Sequence, residues 1–324
     1  MRTLILLLFL FLSSPIVNAQ ITKIRSAKLS MDRNSIALIC FLESVQDIFV
    51  YSIEADSLKR LTASESLNFD EQYKTSLNWI DDSKIIFLSK HTGQVQQYIL
   101  DIQRGNLSSH STSEADEYSL CYSPQNKETY YVSSVKGKEP AIFRRGLASY
   151  EPKCITTKNI NYGLSQLSLD NRFLAFYEMP IGNPLVYSID DDEFLKLKLP
   201  KKNVRILSWS LDSKKILYKH TQFRNGQPMT SLFLYDVNSD KSITLMKNAN
   251  DLYSAILMTD GNKYMYSTSK KSYLVDIESE RVEEHEVKGD LDSWIVDNTS
   301  LLIITNDKAF IYDIQTKKEK SIIN

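Results

Sequence analysis

Residues 209–218 read Trp-Ser-Leu-Asp-Ser-Lys-Lys-Ile-Leu-Tyr, a tryptophan followed by a polar turn and then by a short apolar stretch. The same arrangement begins at Trp79 and at Trp294, so each of the three tryptophans of the chain stands three residues before an aspartate. Three copies of one pattern around the rarest large residue indicate an internal repeat, which has to be considered before any single element is assigned.

Weaker copies extend this repeat over the whole chain. The turn position is occupied by a polar residue in seven places, namely Asp32, Asp82, Gln125, Asp170, Asp212, Asp260 and Asp297. Their mean spacing of about 44 residues lies in the range of four-stranded propeller blades. Residues such as Asp, Asn, Ser and Gly favour turns because they bond to nearby backbone groups or accept a positive φ.

The second half of each repeat is a short segment rich in aromatic and β-branched residues, which is typical of strands. Copies occupy residues 49–53, 98–102, 185–189, 233–237, 273–277 and 310–314, with a degraded copy at 142–146. A single sheet of this kind cannot cover both of its faces, whereas a radial stack of sheets can. The repeat therefore predicts an all-β fold, a β-propeller of four-stranded antiparallel blades. Seven blades are expected, with six or eight as the alternatives.

The closure of the ring is left open by the sequence. An open ring would leave an end blade uncovered. Residues 21–25 could add an outer strand to the last blade, or residues 320–324 could form that strand themselves.

The unit at residues 209–218, followed by the strand at 232–237, resembles the repeat of TolB-like, WD-type β-propellers. That repeat has a Trp-Ser-Pro-Asp-Gly-Lys turn, of which the proline survives here only as Pro124 and the glycine only as Gly261. The resemblance covers nearly the whole mature chain. It implies a periplasmic or secreted interaction scaffold, or a propeller attached to an enzyme, and it supplies no catalytic positions.

Residues 1–19 have the composition of a secretory signal peptide. Arg2 gives a positive start, residues 4–12 form an unbroken apolar run, and small or apolar residues precede Gln20. We therefore expect cleavage between Ala19 and Gln20, a single propeller domain over residues 20–324, and export to the periplasm or the cell exterior. An uncleaved membrane anchor is the alternative. No later stretch is long and apolar enough to form a transmembrane segment.

The formal net charge of -1 gives no electrostatic reason to expect nucleic acid as a partner. Three cysteines are an odd number for an exported protein and do not indicate a disulfide framework. A single bridge between Cys121 and Cys154 is left open, whereas Cys40 lies in an apolar run and is expected in the core.

Sequence motifs for catalysis are absent. The chain has no Gly-x-Ser-x-Gly elbow, no phosphate-binding glycine loop and no histidines at metal-ligand spacing. The acidic run at residues 190–193 is interpreted as a solvated turn between the third and fourth strands of a blade, rather than as a calcium loop. We therefore expect no catalytic residues, no cofactor and no metal, and predict that the chain is not an enzyme.

The expected function is that of an exported scaffold that binds a protein or a cell-envelope component. Its longest loops are expected at residues 64–76 and 219–231, and their interface-type side chains are the candidate partner-binding residues: Phe69, Tyr73, Phe223 and Arg224. The rival hypothesis is a propeller enzyme, a lyase or hydrolase that acts on a glycan or a peptide at the mouth of the channel.

Overall fold

The structure is a computed structural model of the chain. It describes residues 21–43, 45–62, 67, 77–111, 114–134, 140–149, 151–156, 162–178, 182–249, 251–287, 290–295, 299–305 and 307–323. The regular elements in these ranges are all β-strands, and none of these ranges contains a helix that could cross a membrane.

The strands fall into seven groups of four. Blades 1 to 4 comprise β1 Ile21–Leu29, β2 Ser35–Leu42, β3 Val45–Ser52, β4 Ser57–Arg60; β5 Asn78–Asp81, β6 Lys84–Ser89, β7 Gln96–Asp101, β8 Leu107–Ser109; β9 Glu117–Ser123, β10 Glu128–Ser133, β11 Ala141–Gly146, β12 Lys153–Cys154; β13 Tyr162–Leu167, β14 Phe173–Glu178, β15 Asn183–Ser188, β16 Glu193–Leu195. Blades 5 to 7 comprise β17 Val204–Trp209, β18 Lys215–Arg224, β19 Gln227–Asp236, β20 Lys241–Ala249; β21 Ser254–Leu257, β22 Lys263–Ser267, β23 Ser272–Asp276, β24 Val282–His285; β25 Asp290–Ile295, β26 Ser300–Ile304, β27 Ala309–Asp313, β28 Lys318–Ile323.

Each group of four forms one sheet in which consecutive strands pair antiparallel. The prediction of a seven-bladed β-propeller is therefore confirmed. The repeat copy that looked degraded in sequence is a regular strand as well, because β11 pairs with β10 along its whole length from Ala141 to Gly146.

The core consists of seven hydrophobic clusters, and each cluster joins two neighbouring blades. One of them packs Leu38 of blade 1 against Leu302 and Ile304 of blade 7, so the ring is closed. β1 is the first strand of blade 1 and β28 is the fourth strand of blade 7. Of the two closures that the sequence left open, the C-terminal segment is thus the one that completes the last blade, and no strand is exchanged.

The repeated turns have a shared hydrogen-bond pattern. The hydroxyl of Ser210 donates to Asp212 at 2.7 Å and accepts the backbone N–H of Lys215 at 2.9 Å. Ser30 and Ser168 make the same pair of bonds in blades 1 and 4. The aspartates of these turns therefore stabilise the turn backbone, as the sequence predicted; the seventh turn, at residues 296–298, lies outside the described residues.

The expectation of a long loop at residues 219–231 is wrong. β18 and β19 stay paired through this segment as far as Arg224 and Gln227, and a two-residue turn joins them. Asn225 and Gly226 form that turn with φ of 51° and 76°. Positive φ at both positions is what a type I′ hairpin requires, and Asn-Gly is its favoured sequence.

Gly261, the repeat glycine of blade 6, is expected to tolerate alanine poorly. Its φ is +66°, and an added Cβ would lie 3.2 Å from the Cβ of Ser210 and 3.3 Å from the Cδ of Lys215. Gly226 has a φ of +76° but no atom within 4 Å of such a Cβ. We expect Gly226→Ala to lower the free energy of unfolding by about 1 kcal/mol through backbone strain alone, and Gly261→Ala by about 2 kcal/mol or more because crowding is added. Urea unfolding of both variants compares the two values, and equal losses would show that the neighbouring blade does not crowd Gly261.

Candidate active site

Alternating strand direction divides the connections of each blade between two faces of the ring. The turns between first and second and between third and fourth strands lie on one face, here named the turn face. The connections between second and third strands and those between blades lie on the other, here named the loop face. In blade 2, for example, residues 81–84 and 101–107 belong to the turn face.

A groove of about 800 Å³ lies on the turn face between blades 2 and 3. It runs from the first strand of blade 2 to the fourth, and its opposite wall is formed by β9, the turn between β9 and β10, and Leu147 of blade 3. The lining combines apolar side chains with three cations and two carboxylates: Ile80, Asp81, Lys84, Ile99, Asp101, Arg104, Asn106, Ser108, Tyr122, Pro124, Lys127 and Leu147.

Three charged residues of the groove form a row across blade 2. Asp81 on β5 is the register partner of Lys84 on β6, and Lys84 is the register partner of Asp101 on β7. Register partners point to the same side of a sheet, so the row of alternating charge faces the groove. With neighbouring strands about 4.8 Å apart, the two aspartates stand roughly 10 Å apart with the lysine between them.

Asp101 is held in its ionised form. Its carboxylate accepts the backbone N–H groups of Arg104 at 2.9 Å and of Gln103 at 3.1 Å. These bonds, the Arg104 bond first, together with the nearby charges of Arg104 and Lys84, lower the pKa of Asp101 below its ordinary value of 3.8. At neutral pH this carboxylate is therefore charged, and it can accept a proton or pair with a cation.

Tyr122 places a neutral phenol in the same groove. The side chain is 4% exposed. Burial, followed by the charge of Asp81, raises its pKa to about 12. The hydroxyl therefore keeps its proton at neutral pH and can donate a hydrogen bond or a proton to a bound molecule.

Arg104 and Lys127 are exposed at the rim of the groove, on the blade 2 and the blade 3 side. Within the described parts of the chain, neither of them nor Lys84 makes an ion pair at 4.0 Å or less. Lys84 stands between the two aspartates of the row, whereas Arg104 and Lys127 at the rim are available to a carboxylate of a bound molecule. The groove thus contains anion binders, an ionised carboxylate and a proton donor.

The loop-face end of the same blade interface is polar and buried. Arg145 donates to Glu117 at 2.9 Å, and the exposed fractions of the two side chains are 1% and 0%. Ser111 donates to the same carboxylate oxygen at 2.8 Å. The Arg145 guanidinium also lies 4.7 Å from the ring of Tyr131. Gln97, which is 0% exposed, has no side-chain partner among the described residues. The ion pair thus lies within blade 3, and the hydroxyl of Ser111 connects it to blade 2.

His110 is buried near this ion pair, and its proton equilibrium predicts a pH effect. Burial, followed by the charge of Arg145, lowers the pKa of His110 from 6.5 to about 4. Between these two values the unfolded chain binds a proton that the folded chain does not, so stability falls as the pH falls from 6.5 to 4. We expect the His110→Gln variant to lose less stability over this window than the unchanged protein.

Denaturant unfolding at a series of pH values measures this difference. His91→Gln is the matched control, because His91 is exposed on the loop face. The same dependence on pH in the unchanged protein and in His110→Gln would show that His110 titrates alike in the folded and unfolded chains.

Two of the four residues predicted from sequence as partner-binding can be placed, and neither lines the groove. Phe223, 67% exposed, and Arg224 lie at the tip of the β18–β19 hairpin, on the loop face of blade 5. Phe69 and Tyr73 lie outside the described residues. The sequence did not single out the groove residues, because an aspartate at a turn, such as Asp101, is already explained by its bonds to the turn backbone. The one available signal was that Lys84, Arg104 and Lys127 all stand at blade turns.

Two further sequence interpretations can be compared with the structure. The acidic run does form the turn between β15 and β16, where Asp192 accepts the hydroxyl of Tyr187 and pairs with Lys153 at 3.2 Å. The three cysteines are all free, Cys40 and Cys121 buried and Cys154 exposed, so the bridge that was left open is not formed.

These observations define the class of protein: a seven-bladed β-propeller with a charged groove between two blades. No family model and no curated protein sequence matches the chain. Among solved structures, it is similar to an oligogalacturonate lyase from Vibrio parahaemolyticus, with 10% identity over 92% of both chains and a TM-score of 0.68.

Two other solved structures are similar. A puromycin-hydrolysing peptidase from Mycobacterium tuberculosis is 10% identical, and the match covers 96% of this chain but 55% of the peptidase, with a TM-score of 0.69. TolB from Acinetobacter baumannii is 16% identical over 77% of this chain and 63% of its own, with a TM-score of 0.51. The likeness extends to TolB in fold, and the TolB-like repeat family stays a prediction.

The expectation of a non-catalytic scaffold is wrong, and so is the expectation that the chain is not an enzyme. The similar solved structures include a lyase of almost the same length and peptidases, and they favour the rival hypothesis of a propeller enzyme. Likeness at these identities shows the fold alone, so the activity has to be argued from the groove.

A second oligogalacturonate lyase structure is a complex with manganese. Across the described segments of this chain, no group of three or more His, Cys, Asp or Glu side chains is placed to hold a metal ion. The donors among these described residues do not fit a metal centre, and the chemistry below assigns no step to one.

Proposed function

We propose that the protein is an exported propeller enzyme that cleaves an acidic oligosaccharide by elimination, with the substrate bound in the groove between blades 2 and 3. The observation that carries this proposal is the groove itself, in which Lys84, Arg104 and Lys127 have no acidic partner at ion-pair distance among the described residues. The likeness in fold and length to an oligogalacturonate lyase supports it. Export rests on the signal-peptide composition of residues 1–19.

Elimination next to a carboxylate needs three groups. The C–H bond beside the substrate carboxylate loses its proton to a base, a C=C bond forms, and the glycosidic C–O bond breaks as its oxygen takes up a proton. In the groove, Arg104 and Lys127 would pair with the substrate carboxylate and stabilise the negative charge that develops on it. Asp81 would accept the proton, and the neutral Tyr122 would protonate the leaving oxygen.

The groove fits elimination better than hydrolysis by a pair of carboxyl groups. Hydrolysis of that kind requires one carboxyl group with a raised pKa, so that it can act as the acid. The pKa of Asp101 is lowered instead, through its bonds to the backbone of Gln103 and Arg104. The group in the groove that retains its proton is the Tyr122 phenol.

Reversing the charge of the two rim cations is expected to impair turnover. The Arg104→Glu, Lys127→Glu double variant should lower kcat/KM for oligogalacturonate by about tenfold or more, because an ion pair with the substrate is replaced by repulsion. The measurement is the ultraviolet absorbance of the unsaturated product, with a neutral galacto-oligosaccharide as a substrate that should not react. Lys270→Glu, at an exposed position on the loop face of blade 6, is the control and should leave turnover unchanged.

Two results would contradict this proposal. The first is that no acidic oligosaccharide yields an unsaturated product, whether or not divalent cations are added. The second is that the rim variant turns over oligogalacturonate as fast as the unchanged protein, which would place the substrate elsewhere.

A further inference from the structure

A second cationic surface lies far from the groove, on the segment that connects blade 4 to blade 5. Residues 194–211 contain five cations and no acid, in a chain whose formal net charge is -1. We name these five residues the cationic strip: Lys196, Lys198, Lys201, Lys202 and Arg205. This local excess of positive charge in a nearly neutral protein indicates a surface that attracts anions.

Packing fixes the orientation of the strip. Leu195, Leu197 and Leu199 pack against the hydrophobic cluster between blades 4 and 5. Since alternate residues of an extended chain point to opposite sides, Lys196 and Lys198 are exposed. Lys198 is also tied to blade 5, because its backbone N–H donates to Asp240 at 3.2 Å and its Nζ lies 2.5 Å from the same carboxylate.

The strip then turns inwards over the loop face. Thr221 of blade 5 donates its backbone N–H to the carbonyl of Asn203 at 3.0 Å, which anchors the segment beside Lys201 and Lys202. Arg205 is exposed between the buried Val204 and Ile206 on β17, the innermost strand of blade 5. The connection starts at β16, the outermost strand of blade 4, so the strip leads from the rim of the ring to its centre.

Of the five cations of the strip, Lys198 pairs with Asp240. Within the described ranges, Lys196, Lys201, Lys202 and Arg205 make no ion pair at 4.0 Å or less. The remaining four positive charges therefore repel one another, and a bound polyanion would relieve that repulsion.

We propose that the cationic strip binds a linear, carboxylate-bearing polysaccharide. The strip is narrow and linear, which matches a single extended polyanion rather than a DNA duplex with two phosphate strands. The leucines between the lysines, Leu195, Leu197 and Leu199, pack into the protein, so the lysines are not interleaved with apolar side chains that could enter a membrane. The inner part of the strip, Lys201, Lys202 and Arg205, lies on the loop face and thus opposite to the groove, so the strip would hold a long polymer and not the short chain being cleaved. Only the choice of a carboxylated polymer rests on the proposed function.

The test is binding to polygalacturonate at low and high salt, measured by affinity electrophoresis. The strip variant replaces Lys196, Lys201, Lys202 and Arg205 by serine and should bind about tenfold more weakly or worse at low salt, with a smaller dependence on salt. The control variant removes the same number of charges from exposed, scattered positions, and should bind like the unchanged protein: Lys59, Lys263, Lys270 and Lys318.

Three results would overturn the inference. The strip and control variants could bind polygalacturonate equally well. The strip variant could lose binding to duplex DNA or to anionic vesicles while its polygalacturonate binding stays unchanged. The unchanged protein could dimerise at low salt through the strip, against the acidic residues 278–286 of a second copy, without binding the polymer.

Failure of the proposed function would be separable from failure of this inference. The rim variant of the groove should lose turnover of short oligosaccharides and keep its binding to the polymer. The strip variant should keep turnover of short oligosaccharides and lose its binding to the polymer. A protein that binds polygalacturonate through the strip but cleaves no acidic glycan would refute the first proposal and support the second.

Discussion

Replacing Glu117 by leucine is expected to lower the free energy of unfolding by about 3–5 kcal/mol, because the Arg145 charge would be left buried without a counter-ion. Both side chains are almost completely excluded from solvent, and the Ser111 hydroxyl would also lose its acceptor. Chemical denaturation of the variant measures this loss. An effect of this size is a large part of the stability of a typical domain.

The double variant Glu117→Leu, Arg145→Met separates an unpaired charge from a lost contact. It should recover most of the stability, since a buried ion pair replaced by apolar side chains of similar volume is often neutral. Asp190→Asn is the control, because it breaks the exposed pair between Asp190 and Arg172 and should have little effect. A double variant as unstable as Glu117→Leu would mean that the polar network itself, and not the absence of an unpaired charge, stabilises blade 3.

Replacing Leu302 by alanine is expected to weaken the contact between blades 1 and 7 by about 2–5 kcal/mol, the usual range for a buried leucine. Leu302 is 0% exposed, and it shares its cluster with Leu38 of blade 1. Since no strand is exchanged at this contact, the two ends of the chain are held together by this packing and by Lys320, which donates to the carbonyl of Ile53 at 3.2 Å and pairs with Asp56 at 3.3 Å. The variant should therefore open first at β1 and β28, which hydrogen exchange can detect.

Leu257→Ala is the matched control, because Leu257 is also 0% exposed and lies between blades 5 and 6. The chain joins those two blades directly through residues 250–253. Because this connection is short, the two blades stay close together after a transient opening, and their contact should be open for less of the time. We expect similar losses of overall stability but faster exchange at β1 and β28 in Leu302→Ala alone. Equal exchange in both variants would show that the contact between blades 1 and 7 is no weaker than the others.

Much of the fold followed from short-range patterns. The spacing of the turn residues predicted seven blades, and the serine–aspartate bonds at Ser210 and Asp212 have the local geometry that those residue types favour. The hairpin at residues 219–231 was misjudged, although Asn225 and Gly226 are a recognised signal for a two-residue turn. The outer half of this hairpin is not buried on either face, so its sequence lacks the alternation of apolar and polar residues that marks a half-buried strand.

The candidate site was beyond the reach of such patterns. Asp81, Arg104 and Lys127 belong to three different turns of two blades, and each has a sufficient local explanation on its own. They share a groove only because blade 3 packs beside blade 2 with both sets of turns on one face. The buried pair of Glu117 and Arg145 was equally hidden, since charged residues are normally expected at the surface.

The sequence by itself determined the blade and its repetition, because strands and turns arise from residue types a few positions apart. Only the tertiary structure decided how the ring closes, which charges are buried, and which turns of different blades face a common groove. The physical reason is that these features depend on contacts between residues distant in sequence, and packing sets those contacts without a short-range pattern to record them.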